Sequence, residues 1–342
     1  MKAVFLRQAG DLYVDEVPRP SCKAGEVLIQ VKEIGICGSD LHYYNDGKIG
    51  DHVVLEPHVL GHEASGVILE TGRDVRGFAP GDRVAIEPGV PCLTCESCLE
   101  GRYNLCPDLH FYGAPPYMGM FREYLCHDPR FVHKLPDAVS FTQGALVEPF
   151  AVAHNAVRKA GMRAGETVLI TGSGPIGLSC IEMSRVAGAA RVIVSEPKAH
   201  RRKAALSLGA DLVLDPAEGD LVAAIAEYTG GRMVDCAIEA SGKECAMGVA
   251  LHAIRKGGRV VFVGMGHEEQ TIPHMEILRK EAVVYGVYRY ANDFRPVIEL
   301  LAAGLLKGHP WVSHRFALSE ILKAVGLAND PAAETLKIVV YT

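Results

Sequence analysis

The sequence has no run of eighteen apolar residues, so no membrane-spanning helix is expected. It has no long basic stretch either, and its net charge of -6 argues against nucleic acid as a partner. The opening residues, Met1 to Arg7, carry neither a long apolar stretch nor a small-residue cleavage site, so no secretory signal is expected there. No internal repeat, low-complexity segment or obvious linker interrupts the 342 residues, enough for two domains with separate cores. Hydrophobic residues at 49% and charged residues at 22% make an ordinary globular balance. A cytoplasmic protein is the expectation, with its ten cysteines mostly reduced. In that setting a dense cysteine group is a metal site before it is a disulfide framework.

Such a group is present. Cys92, Cys95, Cys98 and Cys106 fall within fifteen residues, spaced C-x2-C-x2-C-x7-C. Four thiolates bind zinc tetrahedrally and leave no open position, so the expected site is structural. Two alternatives exist. An iron–sulfur cluster is suggested by Cys106-Pro107, but the ferredoxin run has about three residues before its last cysteine. Four unliganded thiols are the other. Spacing and compartment favour zinc.

The first ~150 residues read as β-rich, with short strands at 3–6, 27–33, 63–69, 83–86 and 122–126 separated by Gly and Pro turns. The character changes near Glu148. A helix-compatible stretch at 151–160 precedes strands at 167–171, 191–195, 211–214, 234–238, 259–263 and 282–287, with helices at 175–187, 198–208, 219–228 and 243–254 between them. That alternation implies a parallel sheet covered on both faces. A helix near 294–303 and a strand at 337–341 follow.

The apolar, β-branched run Thr167–Thr171 opens directly into Gly172-x-Gly174-x-x-Gly177 and then a helix. This context turns a plain Gly-rich turn into a dinucleotide loop, with pyrophosphate at the helix N-terminus. Glu196, at the end of the next strand, is placed to accept from both ribose hydroxyls and to repel a 2′-phosphate, which favours NAD. Arg201-Arg202-Lys203 is the competing signal, since it offers charge to a phosphate.

Cys37 follows one strand, and His62-Glu63 begins another. Alone, these residues fit a buried thiol and a hydrogen-bonded histidine as well as they fit a catalytic metal, which needs about three protein ligands and one open position.

Several stretches together settle the resemblance: Gly35-Ile36-Cys37-Gly38-Ser39-Asp40-Leu41-His42-Tyr43, Gly61-His62-Glu63, Tyr103-Asn104-Leu105-Cys106-Pro107, Val147-Glu148-Pro149, Gly172-Ser173-Gly174-Pro175-Ile176-Gly177 and Tyr288-Arg289-Tyr290. Over essentially its whole length the chain resembles the medium-chain zinc-dependent dehydrogenases. It is most similar to their polyol branch, the sorbitol (L-iditol) and xylitol dehydrogenases. The resemblance implies a mixed β and α/β protein. A GroES-like β-rich catalytic domain takes residues 1–149 and 291–342, and a Rossmann domain with a doubly wound parallel sheet takes 150–290.

The resemblance also implies roles. Cys37, His62 and Glu63 hold the catalytic zinc, with Glu148 reaching it through water. Glu148 alone would otherwise read as a helix-start acid. Ser39 and His42 form a proton relay. Tyr43, Glu148, Arg289 and Tyr290 contact the polyol. Gly172, Gly174, Pro175, Ile176, Gly177, Glu196, Arg201, Val263, Gly264, Met265, Val287, Tyr288 and Arg289 touch NAD. The implied reaction is oxidation of a secondary alcohol of a polyol to a ketose, in a homo-oligomer, by resemblance a tetramer. Rival readings are a threonine or other secondary-alcohol dehydrogenase, a non-catalytic NAD-binding protein, and a zinc-free quinone reductase.

Overall fold

The computed structural model describes the backbone of all 342 residues and every side chain except that of His309. In chain order, the elements that build the sites are β1 (Val27–Gly35), α1 (Gly38–Asp46), β2 (Glu63–Thr71), β3 (Arg83–Ile86), β4 (Tyr124–His127), α2 (Val147–Lys159), β5 (Thr167–Thr171), α3 (Pro175–Val186), β6 (Arg191–Ser195), β7 (Val234–Glu239), β8 (Ile254–Phe262), β9 (Val283–Gly286) and β10 (Lys337–Tyr341). Among the described residues no helix is long and apolar enough to cross a membrane. The chain divides into two compact units, Met1–Glu148 with Phe294–Thr342, and Pro149–Asp293.

The first unit is organised by β1. Val27, Leu28, Ile29, Val31 and Ile34 are all fully buried, so β1 is a central strand rather than an edge. It pairs antiparallel with β2 on one side, and with β4 and β10 on the other. The seven-stranded sheet runs Val132–Lys134, β3, β2, β1, β10, Val312–Ala317, with β4 also on β1. A separate sheet holds Lys2–Gln8, Asp11–Glu16 and His58–Val59. Its inward residues Val4 and Leu6 join the same core as Ile29, Ile68 and Ile338.

The second unit is a six-stranded sheet in the order Leu212–Leu214, β6, β5, β7, β8, β9, with every pairing parallel. All five residues of β5 are buried, as a strand covered on both faces requires. A core of Leu169, Ile193, Ala237, Ile254 and Val260 lies against it. The loops after β5, β6, β8 and β9 all leave the same carboxyl edge.

Sequence expectations and observed elements differ in informative places. Strands 167–171, 191–195 and 83–86 have the expected bounds. The expected strand 259–263 instead begins at Ile254 and crosses Gly257-Gly258 with a register shift against β7. Helix α1 was not expected, because Gly38-Ser39-Asp40 and Asn45-Asp46 give it no apolar stripe. It is held by its ends: Cys37 is the N-cap, and Gly47 at φ 71° caps its last turn.

Candidate active site

Three chain segments converge at one point in the first unit. Strand β1 ends at Gly35, and Cys37 sits between it and α1. The register of β1 on β2 pairs Gly35 with Glu63. A Cβ at Gly35 would overlap Glu63 Oε2, so only glycine lets the carboxylate lie across the strand there. The Cys37 Sγ, a ring nitrogen of His62 and a Glu63 oxygen lie within 4.8 Å of one another. His62 and Glu63 are buried and Cys37 is half-buried.

Two charged groups outside this trio shape it. The buried Asp40 accepts from Cys37 N at 2.9 Å and from Gly61 N at 3.0 Å, and its Oδ1 is 3.7 Å from His62 Nδ1. One carboxylate thus ties both ligand-bearing loops together and lies beside the imidazole, where a carboxylate can support a metal-bound histidine. From the opposite side, Lys337 at the start of β10 donates to Glu63 Oε1 at 2.6 Å, and both side chains are 1% exposed. Glu63 Oε2 also lies against that ammonium but outside hydrogen-bond geometry, which leaves it a buried oxygen with no hydrogen-bond partner.

The electrostatics agree. Burial alone would lower the pKa of His62, but the charges of Cys37 and Asp40 and the Cys37 hydrogen bond push it to about 10. Burial acts to lower Lys337 too, and Glu63, then Cys37, raise it above its usual value. Glu148, buried in the first turn of α2, adds to both effects through its charge. A cluster that draws in positive charge this strongly, and that sets a thiol, an imidazole and a carboxylate side by side, fits a divalent cation.

The remaining residues expected at this site divide. Tyr43 is 4% exposed and packed in the core. Ser39 is half-buried, while His42 is exposed on α1 with Nδ1 3.5 Å from Asp46. Among the described residues no hydrogen bond joins Ser39 to His42. Sequence reasoning missed Asp40, Lys337 and Phe111, whose ring centroid is 5.6 Å from that of His62. A lysine leading the apolar strand Lys337-Ile338-Val339-Val340 was the signal available for the second of these.

The four-cysteine loop is built differently. Cys95–Cys98 and Cys92–Cys106 sulfurs are 3.4 and 3.5 Å apart, and all four sulfurs lie within 4.8 Å. Backbone N–H groups of Cys92 and Cys95 point at sulfur acceptors. Donors from Thr94 and Cys95 draw Cys92 down to about 6, whereas burial and the Cys95 thiol push Cys98 up to about 12. One dication would allow all four to ionise together. The loop is pinned to the sheet by Tyr103, whose hydroxyl donates to Glu87 Oε1 at 2.7 Å; Glu87 Oε2 is also 2.7 Å from His133 Nε2.

In the second unit the glycine motif stands where β5 meets α3. Gly172 adopts φ 87°, Gly174 is the N-cap of α3 and Pro175 its first residue. A Cβ at Gly177 would overlap Gly172 O, so the third glycine sets the helix against the strand. Ile176 is half-buried beside them. Glu196, at the end of β6, accepts from Ser173 N at 2.8 Å and Lys198 N at 2.9 Å, placing its carboxylate against the loop. The Arg201 Nη1 is 3.7 Å from where a Cβ on Gly174 would lie, and its Nε is buried without a hydrogen-bond partner. Arg202 is instead paired with Asp215 at 2.7 Å. The competing basic run is therefore reduced to Arg201 and Lys203. At the same sheet edge Val263 N and Gly264 N donate to Glu239 O, and Val287 N donates to Phe262 O. Met265 and Tyr288 are exposed beyond them. Arg289 and Tyr290 follow, the guanidinium 4.8 Å from the Tyr288 ring centre and Tyr290 buried.

Known proteins resemble this chain over its whole length. Residues 23–137 match the alcohol dehydrogenase GroES-like domain, and residues 175–303 match the zinc-binding dehydrogenase family. A sorbitol dehydrogenase of Bacillus subtilis (strain 168) is 38% identical over 100% of this chain and 97% of its own. One from Gallus gallus is 42% identical over 94% of this chain and 91% of its own. The crystal structure of 2R,3R-butanediol dehydrogenase from Bacillus subtilis superposes with a TM-score of 0.92 at 34% identity, covering 100% of this chain and 99% of that one.

Proposed function

The chain belongs to the zinc-binding medium-chain dehydrogenases, and from that premise we propose that it oxidises a secondary hydroxyl of a polyol to the ketose, with NAD as hydride acceptor. The observation that carries the reading is the convergence of Cys37, His62 and Glu63 at one point, in a chain that also has a dinucleotide loop.

Cys37, His62 and Glu63 would hold one zinc ion, and Cys92, Cys95, Cys98 and Cys106 a second, purely structural one. Bound zinc supplies Lewis acidity that eases loss of the alcohol proton, and NAD takes up the hydride. The protein does the rest. Asp40 supports the imidazole, and Lys337 holds the Glu63 carboxylate in place through both of its oxygens. Glu148 orients the reacting hydroxyl, or the water it replaces. Ser39 and His42 pass the released proton towards solvent. Tyr43, Arg289 and Tyr290 bind the further hydroxyls that distinguish a polyol from a simple alcohol. Glu196 selects NAD by accepting from the ribose.

A homo-oligomer, tetrameric as in the resemblance, is part of the proposal. Support comes from β9, the edge strand of the parallel sheet, where Val283 is exposed alongside Met275 and Leu278.

The test is NADH formation across four- to six-carbon polyols and simple secondary alcohols, with metal measured on the same sample. Turnover of sorbitol or xylitol with up to two zinc ions per chain is expected. Zinc-loaded protein that turns over only simple alcohols would sink the polyol assignment.

A further inference from the structure

Among the described residues, five that are not glycine adopt positive φ, and two of them, Arg289 at 56° and Asn292 at 66°, fall within four positions of each other. A side chain in the left-handed region is strained and persists only where the surroundings enforce it. A glycine at 289 would not be strained, so the strain accompanies the presence of a guanidinium there.

Helix α2 enforces the segment. Asn155, 2% exposed, donates from Nδ2 to the Arg289 carbonyl at 2.8 Å, and its own Oδ1 accepts from Arg158 at 3.0 Å. One residue earlier on the helix, His154 Nδ1 is 2.6 Å from Asp293 Oδ1. Asp293, 1% exposed, accepts from Ala291 N through its other oxygen at 3.0 Å. The strained stretch is thus held at its first residue by Asn155 and at its last by Asp293.

We infer that Asn155 is a positioning residue for substrate recognition, its buried amide holding Arg289 in the left-handed conformation from which Arg289 and Tyr290 meet the polyol. The inference rests on the polyol reading above and deepens it. Asn155 touches no substrate; it acts through the Arg289 backbone. Selectivity for a polyol over a plain secondary alcohol should therefore depend on it.

The experiment compares sorbitol with butan-2-ol, using zinc-loaded wild-type, Asn155→Ala, Arg289→Gly and the double variant. Asn155→Ala is expected to lower the sorbitol-to-butan-2-ol ratio of kcat/KM at least tenfold, with the loss carried by KM for sorbitol. In the Arg289→Gly background the left-handed conformation is free and the guanidinium is gone. There Asn155→Ala should change that ratio less than twofold, the non-additivity of two residues acting as one. The double variant also removes the strain that Asn155→Ala alone would leave unsupported, so it reads out even if the single variant folds poorly. Equal losses on both substrates, or a full tenfold loss in the glycine background, overturn the inference. A wild-type enzyme without preference for sorbitol overturns the polyol reading, and the inference with it; a wild-type preference that survives Asn155→Ala overturns the inference alone.

Discussion

The two cysteine-bearing clusters of the first unit answer the same chemical need in opposite ways. The four-cysteine loop draws all its ligands from positions 92–106, uses one ligand type, and leaves three of its four thiols half-buried. The other cluster takes Cys37, His62 and Glu63 from two strand ends, buries most of them, and is braced by Asp40 and Lys337. A loop that folds around its ion needs little outside help. A site that must keep one position open cannot close on itself, so its ligands are fixed from behind by residues that never touch the ion.

The sharpest way to break this contrast is to remove one ligand from each cluster. His62→Ala should abolish turnover and one zinc equivalent while the fold remains. Cys95→Ser should lose the other equivalent and lower stability, yet leave the folded fraction active. Identical phenotypes, by metal analysis, melting and kinetics, would show that the two clusters are not divided into catalytic and structural.

The next largest effect concerns bracing. Lys337→Met leaves Glu63 as a buried charge without its ammonium and should cost about 3–5 kcal/mol in urea unfolding. Lys337→Arg should recover part of it. No stability difference between the Met variant and wild-type would mean that the ion pair is not a brace. Asp40→Asn probes the other side: weaker orientation of His62 and of the Cys37 turn should lower zinc affinity about 10–100-fold, read by competition with a chelator. The same substitution should leave zinc in the four-cysteine loop untouched.

The smallest effect sharpens the contrast from the second unit, where the dinucleotide loop is again local in sequence. NAD should be preferred over NADP by at least roughly tenfold in kcat/KM, about 1.4 kcal/mol. Glu196→Ala should erode the preference. Equal use of both cofactors by the unmodified enzyme would remove Glu196 from that role.

The contrast also explains what could be read in advance. The four cysteines and the glycine motif are dense in sequence, and β5 and β6 are continuous apolar runs, so all were legible from short windows. Cys37, His62 and Glu63 needed resemblance, because their partnership exists only once β1 and β2 pair in one register. Asp40 and Lys337 were not found at all. Asp40 lies in a helix with no apolar stripe, and Lys337 looked like the polar first residue of a strand. Their function is a contact across 21 and 274 positions, which no local pattern encodes.

The place of β10 has a consequence in time. The second unit is one uninterrupted stretch, Pro149–Asp293, whereas the first is split around it. As the chain leaves the ribosome, Cys37, His62 and Glu63 emerge early, and Lys337 follows only after the whole parallel sheet has been made. Until then β1 lacks its β10 neighbour and Glu63 lacks its counter-charge. The middle unit, being continuous, can fold as it is made, whereas the metal cluster is complete only after β10 has been synthesised and has paired with β1.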